Sequence, residues 1–171
     1  MLYFHNGNVL NTNCKYICHQ VNCQGKMNSG VAKAIREKWP QVYDAYVDWQ
    51  MGFDSWAHAS AHDGQDPNDL LRLVMLCRIL QVPIPKDNKV IINMASQFDY
   101  GYDGKRYTSY DAFWACLGEI KATVPKGSEI AFPDHIGCCR GGANWNVILS
   151  MIDVVLGEDY EVHIYRLEET K

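Results

Sequence analysis

Long apolar runs are missing from this sequence. No stretch approaches the ~18 to 20 apolar residues that a membrane-spanning helix requires, and the longest apolar-rich pieces are interrupted by Arg72, Arg78 and Asp153. A soluble protein is therefore expected. An excess of positive charge is missing too: 16 Lys and Arg stand against 20 Asp and Glu, giving a formal charge of −4 and a pI of about 5.8. Nucleic acid is then an unexpected partner, because broad binding needs a basic stripe that displaces counterions from the phosphate backbone. A small anionic ligand stays open, since local backbone amides hold phosphate against a negative overall charge. Paired cysteine spacing is absent from the seven cysteines, and the opening MLYFHNGNVLNTNC has neither a basic nor an apolar leader pattern. Reduced thiols and a cytoplasmic location are the expectation. No Pro/Gly/Ser-rich linker divides the chain, so residues 1–171 are expected to form one domain.

What is present alternates between two periodicities, the mark of an α/β domain. β-rich runs at residues 16–21, 90–94, 129–132 and 162–167 predict four strands. Residues 2–5 and 77–84 are weaker candidates, with Pro83 and Pro85 demoting the second to an edge or a turn. Val31, Ile35 and Trp39 recur at helical spacing. Pro40 suits a first helical position, and Val42, Tyr46 and Trp49 continue a second stripe that Gly52 is expected to stop. Thr108 followed by Asp111 resembles a capping box before the stripe Phe113, Leu117, Ile120 and Val124. Trp145, Ile148, Ile152 and Val155 line a last helix ending before Gly157. Residues 53–68 (FDSWAHASAHDGQDPN) break periodicity and are expected as a surface insertion.

Two strand-to-helix loops carry the chemistry. In the first, Asn22 to Ala32, Gly25 and Gly30 allow close backbone approach, and the free N–H groups of the following helical turn form an anion site suited to a diphosphate. In the second, Ile136-Gly137-Cys138-Cys139-Arg140-Gly141-Gly142 again joins a strand to a helix. Neighbouring parallel strands would bring both loops to one crevice. Adjacent residues of a strand face opposite ways, so Cys138 and Cys139 do not chelate one ion together. His58 and His62 are spaced as a helical metal pair, yet two ligands are too few, and no metal or cofactor is expected. Arg140, Arg106 and Lys105 are candidate phosphate contacts or solvated surface. His19, just before the first loop, is either a functional base or a satisfied core histidine.

The run Ile17-Cys18-His19-Gln20-Val21-Asn22-Cys23-Gln24-Gly25, continuing through Gly30-Val31-Ala32-Lys33-Ala34-Ile35 to Lys38-Trp39-Pro40, resembles the first ligand loop of macrodomains. Residues 132–145 resemble the second, diphosphate-holding loop, Gly7-Asn8-Val9 the short motif usually written Gly-Asp-Ile, and Val162-His163-Ile164-Tyr165 the last strand. The resemblance implies a three-layer α/β/α sandwich around a mixed, mostly parallel six-stranded sheet, and ADP-ribose or a conjugate of it, including ADP-ribosylated protein, as ligand. Carried onto this chain, Asn8 would accept from the adenine amino group and Tyr165 would stack on adenine. Asn22 would contact the distal ribose and Gly30, Val31 and Ala32 the phosphates, with Val9, Gly25, Met27 and Ser29 as further ligand-binding positions. Residues 136–142 would wrap the diphosphate from the other side.

Among macrodomain branches the residues most resemble the ADP-ribose 1''-phosphate phosphatases, and next the ADP-ribosyl-glutamate hydrolases. The latter use a lysine after the strand matching residues 90–94 and an aspartate in the second loop. Here Ala95-Ser96-Gln97 has no lysine and residues 138–143 no aspartate, so that mechanism does not carry over. The expected function is hydrolysis at the distal ribose of an ADP-ribose derivative, with His19 as base or hydrogen-bond partner of the leaving phosphate, Asn22 orienting the ribose, and Gln97, Asp99 and Tyr100 closing the distal end. The alternative is a reader that binds ADP-ribose without turnover.

Overall fold

Successive side chains of a strand point to opposite faces of its sheet, and the buried run Tyr16–Val21 therefore feeds two cores. In the computed structural model, which describes residues 1–168, this strand (β2) sends Tyr16 and Cys18 to one face and Ile17 and Val21 to the other, none more than 7% exposed. Around it lie β1 (Leu2–Asn6), β3 (Ile79–Ile84), β4 (Lys89–Ala95), β5 (Glu129–Pro133) and β6 (Glu161–Arg166). The order across the six-stranded sheet is β1-β6-β5-β2-β4-β3, parallel throughout except for β3, which runs antiparallel to β4 at one edge. Pro83 sits in that edge strand, where a missing N–H costs no ladder bond.

Helices cover both faces. On one, α4 (Tyr110–Thr123) and α5 (Trp145–Leu156) bring Phe113, Leu117, Ile120, Ile148 and Ile152 against Cys18, Ile92 and Phe132. On the other, α1 (Gly30–Lys38), α2 (Pro40–Ser60) and α3 (Pro67–Met75) bring Ile35, Val42, Tyr46, Leu71 and Met75 against Ile17, Ile91 and Ala131. The result is the three-layer α/β/α sandwich with a mixed, mostly parallel sheet. Among the described residues no helix is long and apolar enough to cross a membrane.

Four local expectations change. Gly52 does not stop α2, which runs on to Ser60 because Ala57 is buried against α3 and Trp49 packs edge-on against Phe53 at 5.6 Å. Tertiary packing overrides glycine's poor propensity. Residues 53–68 are accordingly mostly helical, ending α2 and opening α3, whose start is set by Pro67 after Asp66, with the Asp66 carboxylate accepting from Asn68 N. The α4 cap is Ser109, accepting from Ala112 N at 3.1 Å, and not Thr108. His58 lies in the last turn of α2 while His62 lies beyond its end, so they do not form a helical pair. All seven cysteines are free thiols.

Candidate functional site

Because β2, β4 and β5 run the same way, the loops that leave their C-terminal ends share one edge of the sheet, where open α/β sheets bind ligands. These loops, residues 22–29, 96–109 and 134–144, enclose a cleft of about 260 Å³. Of the residues singled out from sequence, His19, Asn22, Met27, Ser29, Gly30, Val31, Ala32, Gln97, Tyr100, Ile136, Gly137, Cys139, Arg140 and Gly141 line it. Asn8, Val9, Gly25, Cys138, Gly142 and Tyr165 do not. Asn8 caps a short 3-10 turn through Leu10 N at 2.9 Å, and Val9 is buried behind it. Gly25 faces Gln50 of α2, and Gly142 faces the backbone of Lys105 and Arg106. The Tyr165 ring lies 4.7 Å from His5, and its hydroxyl accepts from Thr12 Oγ1 at 2.9 Å. Lys105 and Arg106 are outside the lining: the first pairs with Asp103, the second lies over Tyr110.

The first wall is the start of α1. Its first backbone bond is Lys33 N to Ser29 O, and Ser29 makes no side-chain cap, which leaves the Gly30, Val31 and Ala32 amides free at the cleft. Unpaired N–H groups at the positive end of a helix make an anion site. Asn22 shapes the loop before it: its Oδ1 accepts from Gln24 N at 2.9 Å, Lys26 N at 3.3 Å and the Tyr46 hydroxyl at 2.8 Å, and its Nδ2 donates to Lys26 O at 2.9 Å. The side chain expected to orient a ribose is thus engaged as the internal brace of the loop. Burial pushes the Tyr46 phenol well above its ordinary value, so that hydroxyl stays a donor.

The opposite wall is residues 136–141, held by a polar network that sequence reasoning missed. Gln20 donates to Gln97 Oε1 at 2.5 Å and to Thr108 Oγ1 at 2.9 Å, and accepts from Ser96 Oγ at 2.7 Å. Thr108 in turn donates to Gly137 O at 2.8 Å, while Tyr107 N and Thr108 N both bond Gly141 O. Residues 107–108 therefore lie directly on the glycine loop. A Cβ at Gly141 would run into Thr108 Oγ1 and Gly137 O, and one at Gly137 would come within 2.9 Å of Gln20 Oε1. Those glycines are required by close packing as well as by any ligand. Thr108→Val strands Gln20 and the Gly137 carbonyl; it is expected to cost about 1 to 2 kcal/mol in urea unfolding and to speed amide exchange across residues 136–141.

His19 is 1% exposed. Its Nε2 lies 2.6 Å from Asn93 Oδ1, whose amide partner Nδ2 donates to Leu80 O. That fixes Nε2–H as donor and leaves Nδ1 with a buried lone pair that has no partner among the described residues, in a residue that lines the cleft. Burial pushes its pKa down to about 4, against the hydrogen bond it donates to Asn93, which acts the other way. Desolvation keeps this imidazole neutral.

The rim adds groups that sequence spacing did not mark. Asp134 Oδ2 is 2.8 Å from both Arg166 Nε and His135 Nδ1. Burial alone would raise this carboxyl, but the Arg166 and His135 hydrogen bonds win and hold it below the usual range. His135 stacks on Trp145 at 5.0 Å. Across the mouth, the Arg140 guanidinium lies 4.2 Å over the exposed Tyr102 ring and links the second glycine loop to residues 97–102. Gln97 lines the cleft, with its Nε2 donating to Asp99 O; the Asp99 side chain stays outside. Cys139 faces the cleft while Cys138 turns inward, its thiol pushed up to about 11 by burial.

An α/β/α sandwich with facing glycine loops at the carboxyl ends of parallel strands belongs to the class of open α/β sheets whose crevice lies at that end of the sheet. Comparison with solved structures makes it specific. The chain superposes on the macrodomain of Thermus aquaticus DarG (TM-score 0.69, 21% identity, 96% of this chain and 97% of that one). It also superposes on a macrodomain protein from Streptomyces coelicolor (TM-score 0.70, 20% identity, 99% and 100%). A third match is Thermosipho africanus DarTG, solved in complex with ADP-ribose (TM-score 0.72, 16% identity, 99% of this chain and 42% of that one). This chain has the macrodomain fold. No family model and no curated protein matches it.

Proposed function

We propose that the cleft binds ADP-ribose and that the protein hydrolyses an ADP-ribose derivative at the distal ribose, ADP-ribose 1''-phosphate being the leading substrate. The observation that carries the binding is the placement of the free Gly30, Val31 and Ala32 amides opposite residues 136–141, two backbone walls suited to a diphosphate. The Thermosipho africanus neighbour with ADP-ribose supports it. Hydrolysis is supported by His19: a buried lone pair with no partner among the described residues, in a residue that lines the cleft, is suited to accept from a ribose hydroxyl or an attacking water.

A non-catalytic reader is the second reading, and a specific observation favours it. Asn22 is fully braced within its loop, and the His19 pKa of about 4 makes it a weak base at neutral pH. Calorimetry with ADP-ribose should give one site. Release of inorganic phosphate from ADP-ribose 1''-phosphate, or of ADP-ribose from ADP-ribosylated protein, should accompany it and fall in His19→Ala. Binding with no release from either substrate selects the reader. No binding of ADP-ribose overturns both.

A further inference from the structure

The end of the sheet opposite the cleft carries a second cluster. Glu129 and Glu161 begin β5 and β6 and are Cα partners in the parallel ladder, and His163 follows two residues along β6 on the same face. The ligand atoms of these three residues all lie within 4.8 Å of one another. Like charges directly opposite each other in a sheet repel, and among the described residues neither carboxylate is paired with a lysine or arginine.

The histidine is the part that points to a ligand. Its Nδ1 is 2.8 Å from His5 Nε2, and the two rings are nearly coplanar, 16° apart. Tyr3 lies near-parallel to it at 5.0 Å, so the ring is held from two sides. Its Nε2 is buried, has no hydrogen-bond partner among the described residues, and stands 3.7 Å from Glu129 Oε1, too far for a hydrogen bond. In the tautomer with Nδ1–H donating to His5, that Nε2 presents a lone pair within 4.8 Å of the two carboxylates. Such a lone pair beside anions calls for a positive charge between them, a proton or a metal cation.

We propose that Glu129, Glu161 and His163 bind a divalent transition-metal ion, zinc fitting best, with His5 as the outer partner that orients His163. The N, O, O donor set contains an imidazole, which suits zinc rather than calcium or magnesium. Three protein ligands leave one tetrahedral position for water. Ligand atoms bound to tetrahedral zinc at about 2.0 to 2.2 Å stand roughly 3.3 to 3.6 Å apart, so the set is slightly open and closes by rotation of the two exposed glutamates. The His5 contact supplies the hydrogen bond that metal-bound histidines ordinarily make through their other nitrogen. The ion would staple β5 to β6 at the edge remote from the cleft. Sequence spacing cannot reveal this set, because Glu129 and Glu161 meet only through strand pairing.

The test uses tag-free, chelator-stripped protein titrated with zinc against a chromogenic competitor, with cobalt as spectroscopic substitute. One equivalent should bind, raise the melting temperature, and give a tetrahedral cobalt spectrum lacking thiolate charge-transfer bands. Glu129→Gln and Glu161→Gln, both at exposed positions, should each weaken binding by at least about tenfold, and His5→Phe by about 10- to 100-fold. Failure to bind one equivalent overturns the proposal. So does binding that is unchanged in Glu129→Gln and Glu161→Gln, or a cobalt spectrum with thiolate bands, which would place the ion on cysteine.

Discussion

Asn22→Ala is expected to lose about 3 kcal/mol of stability in denaturant unfolding and to weaken ADP-ribose binding by on the order of tenfold. Asn22 is 8% exposed, and removing its side chain strands two loop amides and the Lys26 carbonyl, while the Tyr46 hydroxyl keeps its bond to Asn22 O at 2.7 Å. Each buried group left unpaired costs about 1 to 3 kcal/mol, part of it regained by water entering from the cleft. The binding loss follows indirectly: the loop that presents the Gly30, Val31 and Ala32 amides is no longer held in one shape. Asn22→Asp separates this from direct contact. It keeps every acceptor bond and loses the donor to Lys26 O, so it should unfold with a smaller penalty than the alanine variant. It also places a carboxylate in an anion site, so its binding should be the weaker of the two at low salt and recover as salt is raised. Unchanged stability in Asn22→Ala with affinity alone lost would show that Asn22 acts by touching the ligand and not by bracing the loop.

The fold was legible where a pattern is local. The strand Tyr16–Val21, the helix stripes on α4 and α5, Pro40 at the start of α2 and Gly157 after α5 all show in short windows of sequence. The site was legible to the extent that glycine loops after strands mark backbone approach, and both loops do line the cleft. What escaped depends on distant partners. Gly52 reads as a stop until Leu71 and Met75 of α3 are packed beside Ala57. The signal for α3 itself was present in Asp66-Pro67 and in the spacing of Leu70, Leu71, Val74 and Met75, but the polar residues before it obscured the pattern. Thr108 looks like a cap in isolation, whereas its hydroxyl is engaged with Gln20 and Gly137, 88 and 29 residues away in sequence. The Asp134–Arg166 pair likewise joins two strands' ends and has no sequence spacing of its own.

Acidification is expected to reveal His19 in the stability of the protein. In the unfolded chain its pKa returns to about 6.5, while in the folded protein burial holds it at about 4. Between those values the unfolded state binds a proton that the folded state refuses, so stability falls as pH drops through this window. The gap corresponds to about 3 kcal/mol, fully present above pH 6.5 and lost by about pH 4. Other groups contribute in the same range: His163 is also lowered, by burial and by His5, and Asp103, Asp134 and Asp159 are held down by their hydrogen bonds. Those are shared with His19→Gln and cancel when the two proteins are compared. Urea unfolding of both across pH 7 to 4 should therefore show the wild-type curve falling more steeply, with the difference approaching about 3 kcal/mol at the acid end. Parallel curves would mean that water reaches the imidazole and that its burial is not maintained in solution. The same displacement sets the form of the rate profile. With His19 as the base, hydrolysis should stay level from neutral pH down to about 5 and decline only near 4, where the ring is protonated. A decline centred near 6.5 would overturn His19 as the base.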